Sequence, residues 1–339
     1  MSDSMQRGLS DKQIAIIQNS QKLMDILRRD DIFFGIRNGY FNLYYHGVSA
    51  GKLSFLSKGT LKIETHCKYL GEDTEGYKTV PLDIYLDQFD KILAYIQTHQ
   101  QSGKGWDEKI AQQNFMMATN RNPNSVWYCV DMEYVQQRQI SNEPCYGRFD
   151  IVALSRSPNS SGLHDAALIE LKIGSKGYKS EFPKEEDLWL REQIEKGAFR
   201  IDQYHGSLGS GVVGHLADFY RFEKTTQFNK LKEEICQTLS NKKKLGIPVA
   251  CAEIQPCDIV GRPNFYFLTL CSNPISCKKS MCRYLGVNGH KNIAKYNAHK
   301  IFGQTFLDCE NYHFLFAPME FCNKPPINIL NDASIAKLE

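Results

Sequence analysis

Residues 148–155 read RFDIVALS and residues 166–173 read AALIELKI. Both runs are short and apolar with charge set inside them, and both are predicted to be strands. On a strand, alternate side chains share a face. Glu170 and Lys172 then point one way, while Ile169, Leu171 and Ile173 face the other. Charge inside an apolar strand is costly to bury without partners. A neighbouring strand that sets Asp150 beside them brings two carboxylates and an ammonium together. Hard oxygen donors of this kind suit Mg²⁺ or Mn²⁺. A lysine next to such an ion can orient or help deprotonate a water and stabilise charge at a phosphate. The chemistry this predicts is metal-assisted phosphodiester hydrolysis.

Outward from this pair, SRSPNSSGLHD at 155–165 is a predicted loop. Upstream, residues 106–119 (WDEKIAQQNFMMAT) suit a helix and 126–135 (VWYCVDMEYV) a strand. Downstream, residues 184–208 are expected to form one long amphipathic helix, with Leu190, Ile194, Ile201 and Tyr204 roughly in phase. A Gly-rich turn, GSLGSG at 206–211, leads into the helix VVGHLADFYRF. Residues 224–246 are helical and Lys-rich, and VACAEI, FYFLTL and HFLFAP are strand candidates. The order from residue 106 on is helix, three strands, helix, further strand, an α/β pattern. Before it, residues 10–30 have helical apolar spacing with Ser10 as N-cap. Residues 32–70 switch to short aromatic and β-branched runs split by Asn-Gly and Gly turns, an antiparallel meander. Residues 83–100 look helical, and QSGKG at 101–105 is a polar break. The domains expected are 1–105, for recognition or oligomerisation, and 106–339.

Asp150 followed by Glu170-x-Lys172, on consecutive strands between two helices, resembles the PD-(D/E)xK restriction-endonuclease-like superfamily over roughly residues 106–225. The strings IRNGYFNLYYHG, VDMEYV, GRFDIVAL, LIELKIG and GSGVVGHLADF look like a set of uncharacterised bacterial proteins within it. The resemblance implies an α/β (α+β) fold: a restriction-endonuclease-like core with a mixed central sheet flanked by helices, plus the N-terminal β-rich extension. It implies a Mg²⁺- or Mn²⁺-dependent nuclease, with Asp150 and Glu170 as metal ligands and Lys172 as catalytic lysine. DNA is favoured over RNA. A homo-oligomer or a partner in a defence or restriction system is also within its scope. Phe149 stands where the motif usually has Pro, and the loop between the strands is long. Asp131 and Glu133 are two apart on a predicted strand, and Glu133 belongs to the family-like string DMEY. It is either a further acidic group of the site or part of a solvated face. Gln203, followed by Tyr204, resembles a helix-borne Gln/Tyr element of one branch, with an ordinary polar helix position as the alternative. GSLGSG offers backbone amides at a helix start, an anion site with His215 nearby, or else a plain capping turn.

Forty-one Lys plus Arg against 38 Asp plus Glu give a net charge of only +3 over 339 residues. That excludes a uniformly basic nucleic-acid binder but not one with confined basic clusters, for which Lys242-Lys243-Lys244, Lys278-Lys279 and Arg283 are candidates. No run of eighteen apolar residues and no apolar leader is present, so a soluble cytoplasmic protein is expected, with no membrane partner. An odd count of eleven cysteines fits a reducing compartment. Cys251, Cys257, Cys271, Cys277 and Cys282, with His290 beyond, lack the tight spacing of structural zinc sites, and Cys251 and Cys271 read as core strand residues. Walker A, Rossmann, HExxH and GxSxG motifs are missing. The alternative to an enzyme is a catalytically silent nucleic-acid-binding or protein-interaction module on the same fold.

Overall fold

The computed structural model describes residues 7–57, 59–100, 107–135, 148–179, 184–201, 203–204, 208–209, 211–224, 226–287, 298–302, 310–328, 330 and 336–337. The chain is mixed α and β, with two sheets and ten α-helices among the described residues. In order, α1 is Asp11–Gln18, α2 Gln21–Leu27, β1 Phe33–Ile36, β2 Tyr40–Tyr45, β3 Val48–Phe55, β4 Leu61–His66 and β5 Tyr77–Val80. Next come α3 Leu82–Asp87, α4 Phe89–Gln100, α5 Asp107–Arg121, β6 Trp127–Val135, β7 Arg148–Ser155 and β8 Ala166–Ile173. Then α6 is Lys184–Glu195, α7 Val212–Glu223, α8 Gln227–Lys244, β9 Asn264–Cys271 and α9 Pro274–Leu285. The last elements are α10 Ala298–Phe302, β10 Tyr312–Pro318 and β11 Ala336–Lys337. Among the described residues, no helix is long and apolar enough to cross a membrane.

Two compact units divide the chain. One holds residues 1–132, 154–164 and 229–259, the other 133–153, 165–228 and 260–339. The expected break at 101–105 lies outside the described residues.

In the first unit, β1 to β5 form an antiparallel meander in chain order, as the period-two runs predict. Leu61, Ile63 and Thr65 of β4 are buried while Lys62, Glu64 and His66 are partly open, so alternation sets one face into the core. Ser10 caps α1, accepting from the Gln13 amide while the Gln13 side chain accepts from Ser10 N. The single helix expected over 10–30 is two, because Ser20 starts a second N-cap at Leu23. The core includes Ile17, Leu23, Phe41, Leu43, Leu53, Ile63 and Ile96.

Tyr85 of α3 lies in this core, fully buried, with no hydrogen-bond partner for its hydroxyl among the described residues. Burial alone raises its pKa far above the tyrosine range. A buried, unpaired hydroxyl is a net loss of about 1–3 kcal/mol. Tyr85→Phe should therefore raise the unfolding free energy by about 1 kcal/mol, read as a higher urea midpoint at unchanged slope. A lower midpoint would show that the hydroxyl has a partner.

The second sheet has the order β11-β10-β9-β8-β7-β6. It is mixed: β8 runs parallel to β9 and β9 to β10, while β11 is antiparallel to β10. The strands read from RFDIVALS and AALIELKI have the predicted boundaries. VACAEI is not a strand. It is an irregular segment in which Cys251 has a φ of 55°, which breaks extended geometry.

Candidate functional site

β8 pairs in register with β9, setting Glu170 beside Phe267 and Lys172 beside Thr269. Its apolar residues Ala166–Ile169 and Leu171 are buried, and so are its two charged ones: Glu170 is 2% exposed and Lys172 8%. Burial of both charges requires partners, and the structure supplies them. The Lys172 ammonium lies 2.7 Å from Glu170 Oε1 and 3.9 Å from Asp150 Oδ2. Asp150, on the adjacent strand β7, also accepts a 2.9 Å hydrogen bond from the Leu171 amide through Oδ2. Phe149 and Ile151, its neighbours on β7, are buried. The strand pair thus brings Asp150, Glu170 and Lys172 together across the 155–165 loop.

A fourth residue joins them. His215 Nε2, on α7, stands 3.0 Å from Glu170 Oε1, so this oxygen faces both the ammonium and the imidazole. The His215 ring meets Phe267 edge-on, with centroids 6.2 Å apart. Tyr178 is buried beside Phe267 and donates a 2.6 Å hydrogen bond to Thr269 Oγ1. Gly177 precedes Tyr178, and a Cβ there would stand 2.8 Å from Lys172 Cδ; glycine leaves room for the lysine stem. With a neutral imidazole, two carboxylates and one ammonium leave the cluster one net negative charge.

The remaining sequence candidates are placed differently. Glu133 is half-buried on β6, two positions from β8 in the sheet order. Its φ of 51° departs from strand geometry, so the period-two reasoning that pairs it with Asp131 fails at this residue. Asp131 is buried in the first unit, paired with Arg7 and Arg37.

Gln203 is exposed and not helical, a correction to the long helix expected over 184–208. α6 stops at Glu195 because Gly197 takes a φ of 65° and the amides of Ala198 and Phe199 turn back to Gln193 O. A glycine in the left-handed region just past a helix is a strong stop. Residues 206, 207 and 210 of GSLGSG lie outside the described residues, as do Trp106 and His290.

Of the basic run Lys242-Lys243-Lys244, the first lysine is not open to a phosphate. Lys242 is buried, donates to Val130 O at 2.9 Å and sits 4.5 Å above the Phe33 ring; burial pushes its pKa down to about 8. Lys243 pairs with Glu253 and Lys244 with Asp11.

Cys271, Cys277 and Cys282 are buried, Cys251 is half-buried and Cys257 exposed. Burial raises the thiol pKa of Cys251 and of Cys271, the latter to about 12, with Cys277 adding to it. Cys271, Cys277 and Cys282 are core thiols, and a thiol raised by burial, as that of Cys271 is, is a poor nucleophile. Among the described residues, no group of three or more His, Cys, Asp and Glu is arranged to hold a metal ion.

The sequence set His215 near an anion site or plain capping turn at a helix start and did not reveal its contact with Glu170. The two are 45 positions apart, and only the packing of α7 on the β9 face joins them. No protein-family model, no curated protein and no solved structure matches the chain, so the chemistry of this cluster rests on its own residues.

Proposed function

We propose that the chain is a divalent-metal-dependent nuclease whose second sheet and flanking helices form a restriction-endonuclease-like core. One observation carries the reading: a lysine on β8 bridges two carboxylates, Asp150 and Glu170, in an otherwise apolar strand pair. The donors fit Mg²⁺ or Mn²⁺. Both are hard oxygens, the cluster is net negative, and Mg²⁺ is commonly held by one or two carboxylates, with waters and substrate phosphates completing its shell. When bound, the ion supplies Lewis-acid stabilisation of phosphate charge and lowers the pKa of a water. Asp150 and Glu170 would hold it. The Leu171 amide fixes the Asp150 carboxylate, and the Lys172 ammonium is placed to orient a water or neutralise charge at the phosphate. DNA is favoured over RNA by the family resemblance alone.

The test is cleavage by the full chain of single- and double-stranded DNA and RNA, with Mg²⁺ or Mn²⁺ and then with chelator. Divalent-dependent cleavage that disappears in a folded Lys172→Met variant is the expected result. Equal cleavage by that variant, or none of any substrate by the wild type, overturns the reading. The second reading, a silent binding or interaction module, is favoured by how completely Glu170 is enclosed, with Lys172 and His215 on one oxygen. That module predicts nucleic-acid binding without cleavage and no Mn²⁺ heat in calorimetry.

A further inference from the structure

We infer that His215 is a positioning residue for Glu170, holding its carboxylate in place when Lys172 turns toward substrate; this rests on the nuclease reading above. The geometry poses a problem that His215 answers. Lys172 is the nearest cation to Glu170, at 2.7 Å, yet its ammonium is also shared with Asp150 at 3.9 Å. A lysine that also engages a phosphate or a water divides its ammonium between that group and Glu170. Glu170 is almost wholly buried. A buried carboxylate that loses a charged donor tends to take up a proton or change rotamer. Either outcome disables it as a ligand.

His215 prevents this through a donor that does not travel with Lys172. It enters from α7, whereas Asp150 and Lys172 come from the sheet. Its backbone is fixed by the helical bond from its amide to Gly211 O, 3.1 Å long. Its ring is braced edge-on by Phe267. An imidazole has two side-chain torsions against the four of lysine, so less freedom is lost in holding one oxygen. The contact uses Nε2–H, which is present in the imidazolium and in one neutral tautomer, so no change of protonation is required. Outer donors of this kind orient metal-binding carboxylates, and their loss typically weakens metal affinity by about ten- to a hundredfold.

The experiment measures Mn²⁺ affinity of the full chain by calorimetry, without substrate, for wild type, His215→Gln and His215→Met. Gln and Met have nearly the same length, so a packing defect falls on both while only Gln offers an N–H. The Met variant should bind Mn²⁺ on the order of ten- to a hundredfold more weakly, and the Gln variant should recover most of that loss. His215→Phe, which keeps a ring against Phe267, repeats the comparison should the Met variant not fold. Mn²⁺ affinity unchanged in the folded apolar variants overturns the role of His215 and leaves the nuclease reading standing. A loss of equal size in Gln and Met also overturns it, since that marks packing and not donation. Absence of Mn²⁺ binding by the wild type removes both.

Discussion

If the chain is the nuclease proposed above, Glu170→Gln should lower divalent-dependent cleavage by on the order of a thousandfold or more while the chain stays folded. The substitution keeps the volume and one carbonyl oxygen, so neither a cavity nor a backbone shift accounts for the loss. What changes is charge. The ionised carboxylate that would hold the cation becomes a neutral amide, and the cluster turns from one net negative charge to neutral. The fold tolerates this because Lys172 retains Asp150, whose carboxylate is anchored by the Leu171 amide at 2.9 Å. A site residue that can be neutralised with little loss of stability behaves as expected of a group kept for chemistry. The assay is initial cleavage rate with Mn²⁺ against far-UV circular dichroism and a melting curve on the same preparation. Cleavage within a factor of two of wild type, by a folded variant, sinks the mechanism. Loss of cleavage accompanied by unfolding would assign Glu170 to structure.

Much of this arrangement is legible in the chain itself. Short apolar runs at 148–155 and 166–173 give both strands to the residue, and strand geometry sets Glu170 and Lys172 on one face with Ile169, Leu171 and Ile173 on the other. The meander reads equally well, since its turns carry Gly and its core face alternates. What fails, fails for local physical reasons. Ile201 and Tyr204 continue the helical phase of Leu190 and Ile194, but a single Gly197 ends α6 and strands Gln203 outside it. A positive φ at Glu133 and at Cys251 breaks extended geometry where residue type predicts a strand. A run of three lysines reads as surface, yet α8 turns Lys242 inward because its stem can bury beside Phe33 while its ammonium finds the Val130 carbonyl. His215 has no sequence signature at all, because its partner lies on another element.

Asp131 carries the other large expected effect. Asp131→Ala should destabilise the first unit by about 3–5 kcal/mol, the range for breaking a buried ion pair by removing one partner. Both arginines on this carboxylate are buried. Arg7 pairs with Oδ2, and Arg37 Nη1 donates to Oδ1 at 2.7 Å. Arg37 is committed further, donating to the carbonyls of Ile36 and Met132 and to Tyr44 Oη. Removal of the carboxylate leaves two guanidinium groups inside the protein, and Arg37 is close enough to the buried Lys242 to help lower its pKa. Glu234 keeps an ion pair with Arg7 at 3.8 Å, so the charge that loses its carboxylate is chiefly that of Arg37. An orphaned charge, not a lost contact, is then the source of the loss. The double variant Asp131→Ala, Arg37→Met should consequently be more stable than Asp131→Ala alone.

The same carboxylate fixes the pH dependence. Burial opposes its ionisation, but Arg37 and then Arg7 outweigh burial and hold its pKa below the usual carboxylate range. A depressed folded-state pKa means stability that is present above the unfolded value, about 3.9, and lost as pH falls through the folded one. The part of the gap between wild type and Asp131→Ala that the titration of Asp131 itself sets should therefore be full above about pH 5 and narrow only below about pH 4, while loss of Asp131 lets the pKa of Lys242 fall further below about 8. Urea unfolding at each pH measures it. A gap that closes already near pH 6 would point to a histidine as the titrating partner, and a gap under 1 kcal/mol at pH 7 would mean that solvent reaches the arginines.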